Sequence, residues 1–360
     1  MGFDSFLGNP QAVAAIREML AGGRVPGALL FAGPEGVGKK TLALMMAKAR
    51  VCERGPADFC DQCARCRKAN QIFATEQEDW ARRRESKDSA RRVEGLVYFD
   101  LQLIEPITKF ILSEQIRQLR AVAYTQPFEF PRRIFILDEA QAIHWQAVDL
   151  LLKVLEEPPE TTSFILICAN AFELRSTIRS RCTRIAFQPV DQTLIQGLLA
   201  GDKKLTEPQK ALAARVAAGS VARARAFDPA DYERRRQPWL DFLEAMVRRG
   251  PHGATVDWRM VFDSARALAE NRDDFEGTLK VGYSLLSDLL HVLLNPETDE
   301  VVNVDLIARL QGWAPKLTLI GIEKLKAGLD QANRLQIRNA NPQLGFETLG
   351  IEIISGREPD

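Results

Sequence analysis

Over roughly the first 190 residues, short apolar runs alternate with amphipathic stretches, the pattern of an α/β domain built on a parallel sheet. Ala28–Phe31 (ALLF), Ile134–Leu137 (IFIL) and Phe164–Cys168 (FILIC) read as buried strands. Each is bounded by polar or turn residues at the end where such folds place their chemistry. Ser113 reads as a helix N-cap followed by Ile116, Leu119 and Val122 at helical spacing. Val148, Leu151, Leu152 and Leu155 share one face of a further helix, which Pro158 and Pro159 stop. Residues 76–92 mix charges of both signs around a single large apolar residue, Trp80, so a solvated loop or short exposed helix is expected there, rather than a nucleic-acid patch. From Pro189 onward strand signals nearly vanish. A first helical block ends near Phe227, and the linker-like stretch Asp228–Pro238 leads into a second that holds the strongly apolar Tyr283–Leu294. One α/β domain and two helical ones are expected.

Composition narrows the classes. The chain has 360 residues, 46% hydrophobic and 27% charged, as in ordinary globular proteins, and its length suits two or three domains. Lys+Arg 48 against Asp+Glu 48 leaves no net charge, which argues against a free-standing nucleic-acid binder driven by bulk charge. No apolar stretch approaches the roughly 20 residues of a membrane span. The opening MGFDSFLGNPQAVAAI has neither the basic start nor the apolar run of a signal peptide, so a cytoplasmic location is expected. Four of the six cysteines are bunched at Cys52, Cys60, Cys63 and Cys66, which in such a chain reads as a metal site rather than as disulfides. Four thiolates suit tetrahedral zinc; an iron–sulfur cluster or free thiols are the alternatives.

The sequence Gly33–Lys39 (GPEGVGK) follows the first apolar run and precedes a helical stretch, the setting a phosphate-binding loop requires. Gly33, Gly36 and Gly38 let backbone N–H groups turn toward phosphate oxygens, and Lys39 would reach the β and γ phosphates of ATP, or the β phosphate of ADP. The next residue, which should carry the hydroxyl that ligates magnesium, is Lys40, and Thr41 comes one place late. On a helix that displacement rotates a side chain by about 100°. Nucleotide binding is therefore compatible with the loop, and efficient hydrolysis is not expected. Ile134–Glu139 has the Walker B form: Asp138 would orient magnesium through water and Glu139 would activate the attacking water. The third run ends in Cys168-Ala169-Asn170, where only Asn170 suits a polar phosphate sensor. Arg181, in Ser180-Arg181-Cys182 beyond the helix-like Leu174–Arg179, reads either as an arginine finger for a neighbouring nucleotide or as an ordinary surface arginine. His144, His252 and His291 show no metal or triad spacing, and no acidic cluster suggests polymerase or nuclease chemistry.

Taken together these residues resemble the clamp-loader branch of the AAA+ ATPases, and within it the delta-prime family of bacterial DNA polymerase III. The resemblance rests on Phe6–Pro10 (FLGNP), Arg24–Ala28 (RVPGA), the loop, Leu137–Ala140 (LDEA), Leu155–Pro159 (LEEPP) and Ser180–Cys182. Gly219–Ala224 (GSVARA) is similar to the lid motif and Arg338–Leu344 (RNANPQL) to a collar segment. The cysteine spacing resembles the zinc module that follows the loop helix in these subunits. The resemblance implies an AAA+ P-loop domain over 1–188, with a structural zinc module at about 52–66 and a charged insert at about 74–95. A small helical lid over 189–230 and an all-helical collar over 231–360 would follow. It implies a pentameric ring with gamma/tau-like ATPase subunits and a delta subunit, acting on the sliding clamp and primed DNA in replication. In that ring this chain would be a stator with little or no ATPase of its own, and Arg181 would act in trans on a neighbour's ATP. Any DNA-directed DNA polymerase activity would belong to the holoenzyme.

Lys40, Ala169, and an Ala222 where the lid of a motor subunit carries its sensor arginine, with Arg223 one place on, favour that reading. Retained Lys39, Asp138 and Glu139 favour a second one, an ATP-hydrolysing motor of the gamma/tau type, which the lack of a long C-terminal extension disfavours. A third, an unrelated P-loop DNA-repair enzyme, leaves the cysteine spacing and the NANPQL segment unexplained.

Overall fold

The computed structural model describes residues 2–55, 57–86, 99–247, 257–270, 274–337 and 341–355. Two compact units emerge, Met1–Leu198 with Ala218–Arg223, and Leu199–Ala217 with Ala224–Asp360. In chain order the first unit holds α1 (Pro10–Ala21), β1 (Ala28–Ala32), α2 (Lys39–Val51), α3 (Ala64–Glu85), β2 (Leu101–Ile104), α4 (Ser113–Ala123), β3 (Arg133–Leu137), α5 (Trp145–Glu156), β4 (Thr162–Cys168), α6 (Ser176–Arg179) and β5 (Thr183–Ala186). The strands form one parallel sheet in the order β2-β3-β4-β1-β5. Ala28, Leu30, Phe135, Leu137, Phe164 and Leu166 face Ile116, Leu119, Val148 and Leu151 of α4 and α5 in one core cluster. The alternate residues Leu29, Phe31, Ile134, Ile136 and Ile165 are equally buried. Strands covered on both faces read as unbroken apolar runs, which is why β1, β3 and β4 stand out in the sequence.

Segment 76–92 departs from expectation as far as it is described. Through Glu85 it is the second half of the 22-residue α3, with Glu76 and Trp80 buried; residues 87–95 of the charged insert lie outside the described residues. The helix lies along β2, an edge strand. Trp80 Nε1 donates to the Leu103 carbonyl at 2.6 Å, and Glu76 Oε2 accepts from the Leu103 N–H at 2.6 Å. Side chains thus take the backbone groups that a free sheet edge would leave unpaired. The charges that suggested a loop sit on the other faces of α3, where Arg83 pairs with Asp79 at 2.6 Å.

At the opposite end of β2, Asp100 and Arg133 form an ion pair whose side chains are 2% and 4% exposed. Arg133 also donates to the Thr125 and Gln126 carbonyls, and Asp100 Oδ2 accepts the N–H groups of Phe128, Glu129 and Phe130. The pair therefore fixes the turn between α4 and β3.

The helices beyond the sheet are α7 (Gln192–Leu199), α8 (Glu207–Val216), α9 (Val221–Arg225), α10 (Pro229–Val247), α11 (Trp258–Glu270), α12 (Phe275–Leu294), α13 (Ile307–Ile337, broken at Thr318) and α14 (Pro342–Ser355). No strand follows β5 among the described residues. The stretch expected as a linker, Asp228–Pro238, is helical from Pro229 onward and contains Pro238 within α10. Its charges misled because they are paired: Arg236 meets Glu233 and Asp305, and Arg235 meets Asp231 and Asp274. Trp239 and Phe242 from α10, Phe275 and Leu285 from α12 and Phe346 from α14 build the core of this second unit. Residues 338–340 of the RNANPQL segment lie outside the described residues; Pro342 opens α14.

Two outcomes follow from the cover of β2. Burial raises the Glu76 carboxyl to about 9 from 4.5, outweighing the Leu103 N–H donation that favours ionisation. Folding then takes up a proton at every pH between those values, so this group makes stability fall as pH rises from 4.5 to about 9. Urea midpoints measured across that range are expected to decline less steeply in Glu76→Gln, and an unchanged slope counts against a buried protonated Glu76. Asp100→Ala leaves Arg133 buried without its carboxylate and is expected to cost about 3–5 kcal/mol in the same assay.

Candidate functional site

The loop Gly33–Gly38 crosses the carboxyl end of the sheet between β1 and α2, where β3 and β4 also deliver Asp138 and Asn170. Gly36 has φ +72°, which an L side chain adopts only with strain, and a Cβ there would lie 2.0 Å from Ser220 Oγ. The Ala222 N–H donates to the Gly36 carbonyl at 3.1 Å. Segment 218–223 therefore packs directly on the loop, and Arg223 comes within 3.8 Å of the Glu35 carboxylate. Lys39, almost fully buried, curls back so that Nζ donates to the Gly33 and Pro34 carbonyls at 2.5 Å each. Burial lowers its pKa, with Asp138 working in the opposite direction.

Lys40 is the residue of the first turn of α2 that reaches the acidic strand ends. Its ammonium pairs with Glu105, just beyond β2, and lies 3.5 Å from Asp138 Oδ2, just beyond β3. Glu105 is buried and is also paired with Arg84 of α3. Thr41 is exposed. The donor set does not fit the magnesium ion expected at such a loop: the hydroxyl is displaced, and a cationic side chain stands against the carboxylate that would orient the metal's water. Glu139 is exposed with a left-handed backbone, φ +50°. Asn170 Oδ1 is engaged by the Phe172 N–H at 3.0 Å, in the turn that follows β4.

Arg181 lies beyond α6, in the exposed turn before β5. Its Nη1 donates to the Thr177 carbonyl at 2.8 Å, and Nη2 pairs with Glu156 at the end of α5. Beside it Cys182 packs against the sheet core, where burial pushes its thiol up to about 12. Cys168 is a buried residue of β4, as expected.

The cysteine cluster is built where α2 ends and α3 begins. Cys52 directly follows α2, Cys63 caps α3 and Cys66 lies in its first turn. The sulfurs of Cys52, Cys60, Cys63 and Cys66 lie within 4.8 Å of one another, and Cys52 and Cys60 are 3.7 Å apart. Tetrahedral bonds of about 2.3 Å to a zinc ion would separate sulfurs by about 3.8 Å, so these residues fit such an ion. The Cys63 N–H points at Cys60 Sγ (3.3 Å) and the Cys66 N–H at Cys63 Sγ (3.4 Å), which favours thiolate. Donation from the backbone of Gln62 and Cys63 pulls Cys60 down to about 6.

Glu105, Arg84 and Glu156 were not anticipated as members of the site. Glu105 carried a signal, since Leu101–Glu105 (LQLIE) has the same apolar-run-then-acid form as Ile134–Asp138. Glu156 lies in the LEEPP motif, but nothing in the chain's order pairs it with a residue 25 positions on.

The family model "DNA polymerase III, delta subunit" matches residues 8–72 and 68–191, just over half of the chain. Among curated proteins, the chain is 28% identical over 191 residues to DNA polymerase III subunit delta' of Bacillus subtilis, covering 53% of this chain and 51% of that protein. It is 29% identical over 198 residues to subunit gamma/tau of Mycoplasma pneumoniae, covering 55% of this chain and 25% of that one. It thus spans about half or less of the length of these relatives. A solved structure of a DNA polymerase III gamma subunit-related protein from Thermotoga maritima aligns over 96% of this chain and 99% of its own, at 15% identity and a TM-score of 0.42. No described helix is long and apolar enough to cross a membrane.

Metal analysis of purified protein is expected to return one zinc per chain. Cys60→Ser or Cys63→Ser should lower that content and expose residues 52–66 to protease, because the binding free energy of a structural zinc is local folding free energy. Full zinc content in both variants would remove these thiols as ligands.

Proposed function

This chain belongs to the DNA polymerase III delta-subunit family, and we propose that it serves as a delta-prime-type subunit of the clamp loader, a largely non-hydrolysing stator. In this reading it sits in a hetero-oligomeric ring with a delta subunit and gamma/tau-like ATPases, in the cytoplasm, and helps load the sliding clamp onto primed DNA. The P-loop unit presents Arg181 to the nucleotide of a neighbouring ATPase, the zinc module is structural, residues 189–230 act as the lid, and 231–360 join the collar.

The observation that carries this reading is Lys40 against Glu105 and Asp138. A motor subunit needs that space for a hydroxyl-bound magnesium ion bridging the phosphates. Arg181 supports the other half. It is partly exposed at a strand end, and its planar fork of donors suits a phosphate in the transition state. The motor reading is favoured by the retained Lys39, Asp138 and Glu139, yet Asp138 is shared with Lys40.

The test uses the purified chain alone and then the reconstituted loader. Alone it is expected to turn over no ATP above a Lys39→Ala control. In the loader Arg181→Ala should slow ATP hydrolysis by roughly 10³-fold, the lower end for an arginine finger, while the ring still assembles. Turnover by the chain alone that depends on Lys39 and Glu139 establishes the motor reading instead. Unchanged loader ATPase removes Arg181 as a finger.

A further inference from the structure

We propose that the Lys40 ammonium stands in for the divalent cation, so that the loop Gly33–Lys39 holds the phosphates of a nucleoside di- or triphosphate free of metal. The proposal goes beyond the stator reading, which does not require nucleotide on this loop, and its own premise is that the loop binds phosphate. The loop keeps what phosphate binding needs: glycines with positive φ at 36 and 38, Lys39, and the first turn of α2. What differs is the source of positive charge beside Asp138.

In a metal-bound site, one divalent ion neutralises both the phosphate oxygens and the strand-end carboxylate. Here the carboxylates are already neutralised from within the chain. Glu105 is held by Lys40 and Arg84, and Asp138 lies 3.5 Å from the same Lys40 ammonium. A magnesium ion entering this space meets like charge and loses the exclusive use of Asp138, and it finds no hydroxyl at position 40 to complete its shell. A phosphate meets the reverse situation. Lys39, whose ammonium now rests on the Gly33 and Pro34 carbonyls, can exchange those neutral acceptors for charged phosphate oxygens, while Lys40 beside it stays on Glu105 and Asp138 and supplies the positive charge next to them. Nucleotide bound this way lacks the metal bridge that phosphoryl transfer uses. It is retained rather than consumed, which suits a subunit whose part is to hold shape.

The experiment is calorimetric titration of the whole purified chain with ADP and with ATP, in magnesium and in EDTA, for the wild type, Lys40→Thr and Lys40→Arg. Circular dichroism and zinc content verify that each variant is folded. Wild type and Lys40→Arg are expected to show dissociation constants that agree within about twofold between the two conditions. In Lys40→Thr, magnesium is expected to tighten binding by roughly tenfold or more. Manganese, followed by electron paramagnetic resonance, gives a readout independent of affinity: nucleotide should draw the ion onto Lys40→Thr and leave it free with wild type.

Wild-type binding that magnesium tightens tenfold overturns the proposal. So does wild type that binds in neither condition while Lys40→Thr binds with magnesium; Lys40 would then block the loop, which would still be a phosphate site. Absence of binding in every variant and condition removes both the proposal and its premise. The stator reading fails on a different measurement, the Arg181→Ala loader ATPase, which does not involve the metal dependence of this loop.

Discussion

A carboxylate at the buried end of a strand needs a cation beside it, and in this chain each such need around β2 and β3 is met by a side chain. Asp100 before β2 has Arg133, Glu105 after it has Lys40 and Arg84, and Asp138 after β3 shares Lys40. Unit charges 4 Å apart attract by about 4 kcal/mol at an effective dielectric of 20, and desolvation of the buried partners offsets much of that, so removing one member of a pair costs more than the pair itself contributes. The pairs also bind distant segments together. α2, α3, β2 and β3 meet at Lys40, Glu105 and Arg84, and the turn after α4 is held by Arg133.

The loop inherits its condition from that arrangement. Lys40 stands against Asp138, Lys39 lies on the Gly33 and Pro34 carbonyls, and Gly36 is covered by Ser220 and Ala222. The charged groups of the site thus pair with groups of the chain itself. At the first turn of α2 the hydroxyl stands at position 41 rather than 40, about 100° around the helix, and an ammonium occupies position 40.

Much of this was legible in the chain and some was not, for physical reasons. β1, β3 and β4 are central strands, buried on both faces, so their sequences are plainly apolar. β2 and β5 are edge strands: β2 is only Leu101–Ile104 with Gln102 inside it, and of Thr183–Ala186 only Ile185 is buried. The second half of α3 looked like a solvated loop or short exposed helix, and the start of α10 like a linker, because their charges are satisfied by partners that sequence spacing does not reveal. In α3 the informative residues were Glu76 and Trp80, four apart and so on one face, but only the position of β2 says what that face covers. The cysteines were legible because Cys60, Cys63 and Cys66 are local in sequence and Cys52 ends the helix that precedes them. The partners of Lys40 and Arg181 were not, since Glu105 is 65 residues from Lys40 and Glu156 is 25 from Arg181.

The two cations differ in how readily they change partners, and this is the basis of their different assignments. Arg181 pairs with Glu156, whose side chain is half exposed, and exposed pairs contribute about 0–1 kcal/mol. Exchanging that carboxylate for a phosphate on a neighbouring subunit therefore costs little, and the fork of donors that now grips Glu156 and the Thr177 carbonyl is already presented at the surface. Lys40 is no more buried than Arg181, but its partner Glu105 is buried, with its side chain only 10% exposed. Withdrawing Lys40 leaves that carboxylate with less compensation inside the protein, which is the expensive direction of any such exchange. A cation that is cheap to release suits an interaction made in trans. One that is costly to release suits a fixed part of the pocket, and the burial of the partner rather than of the cation itself sets the difference.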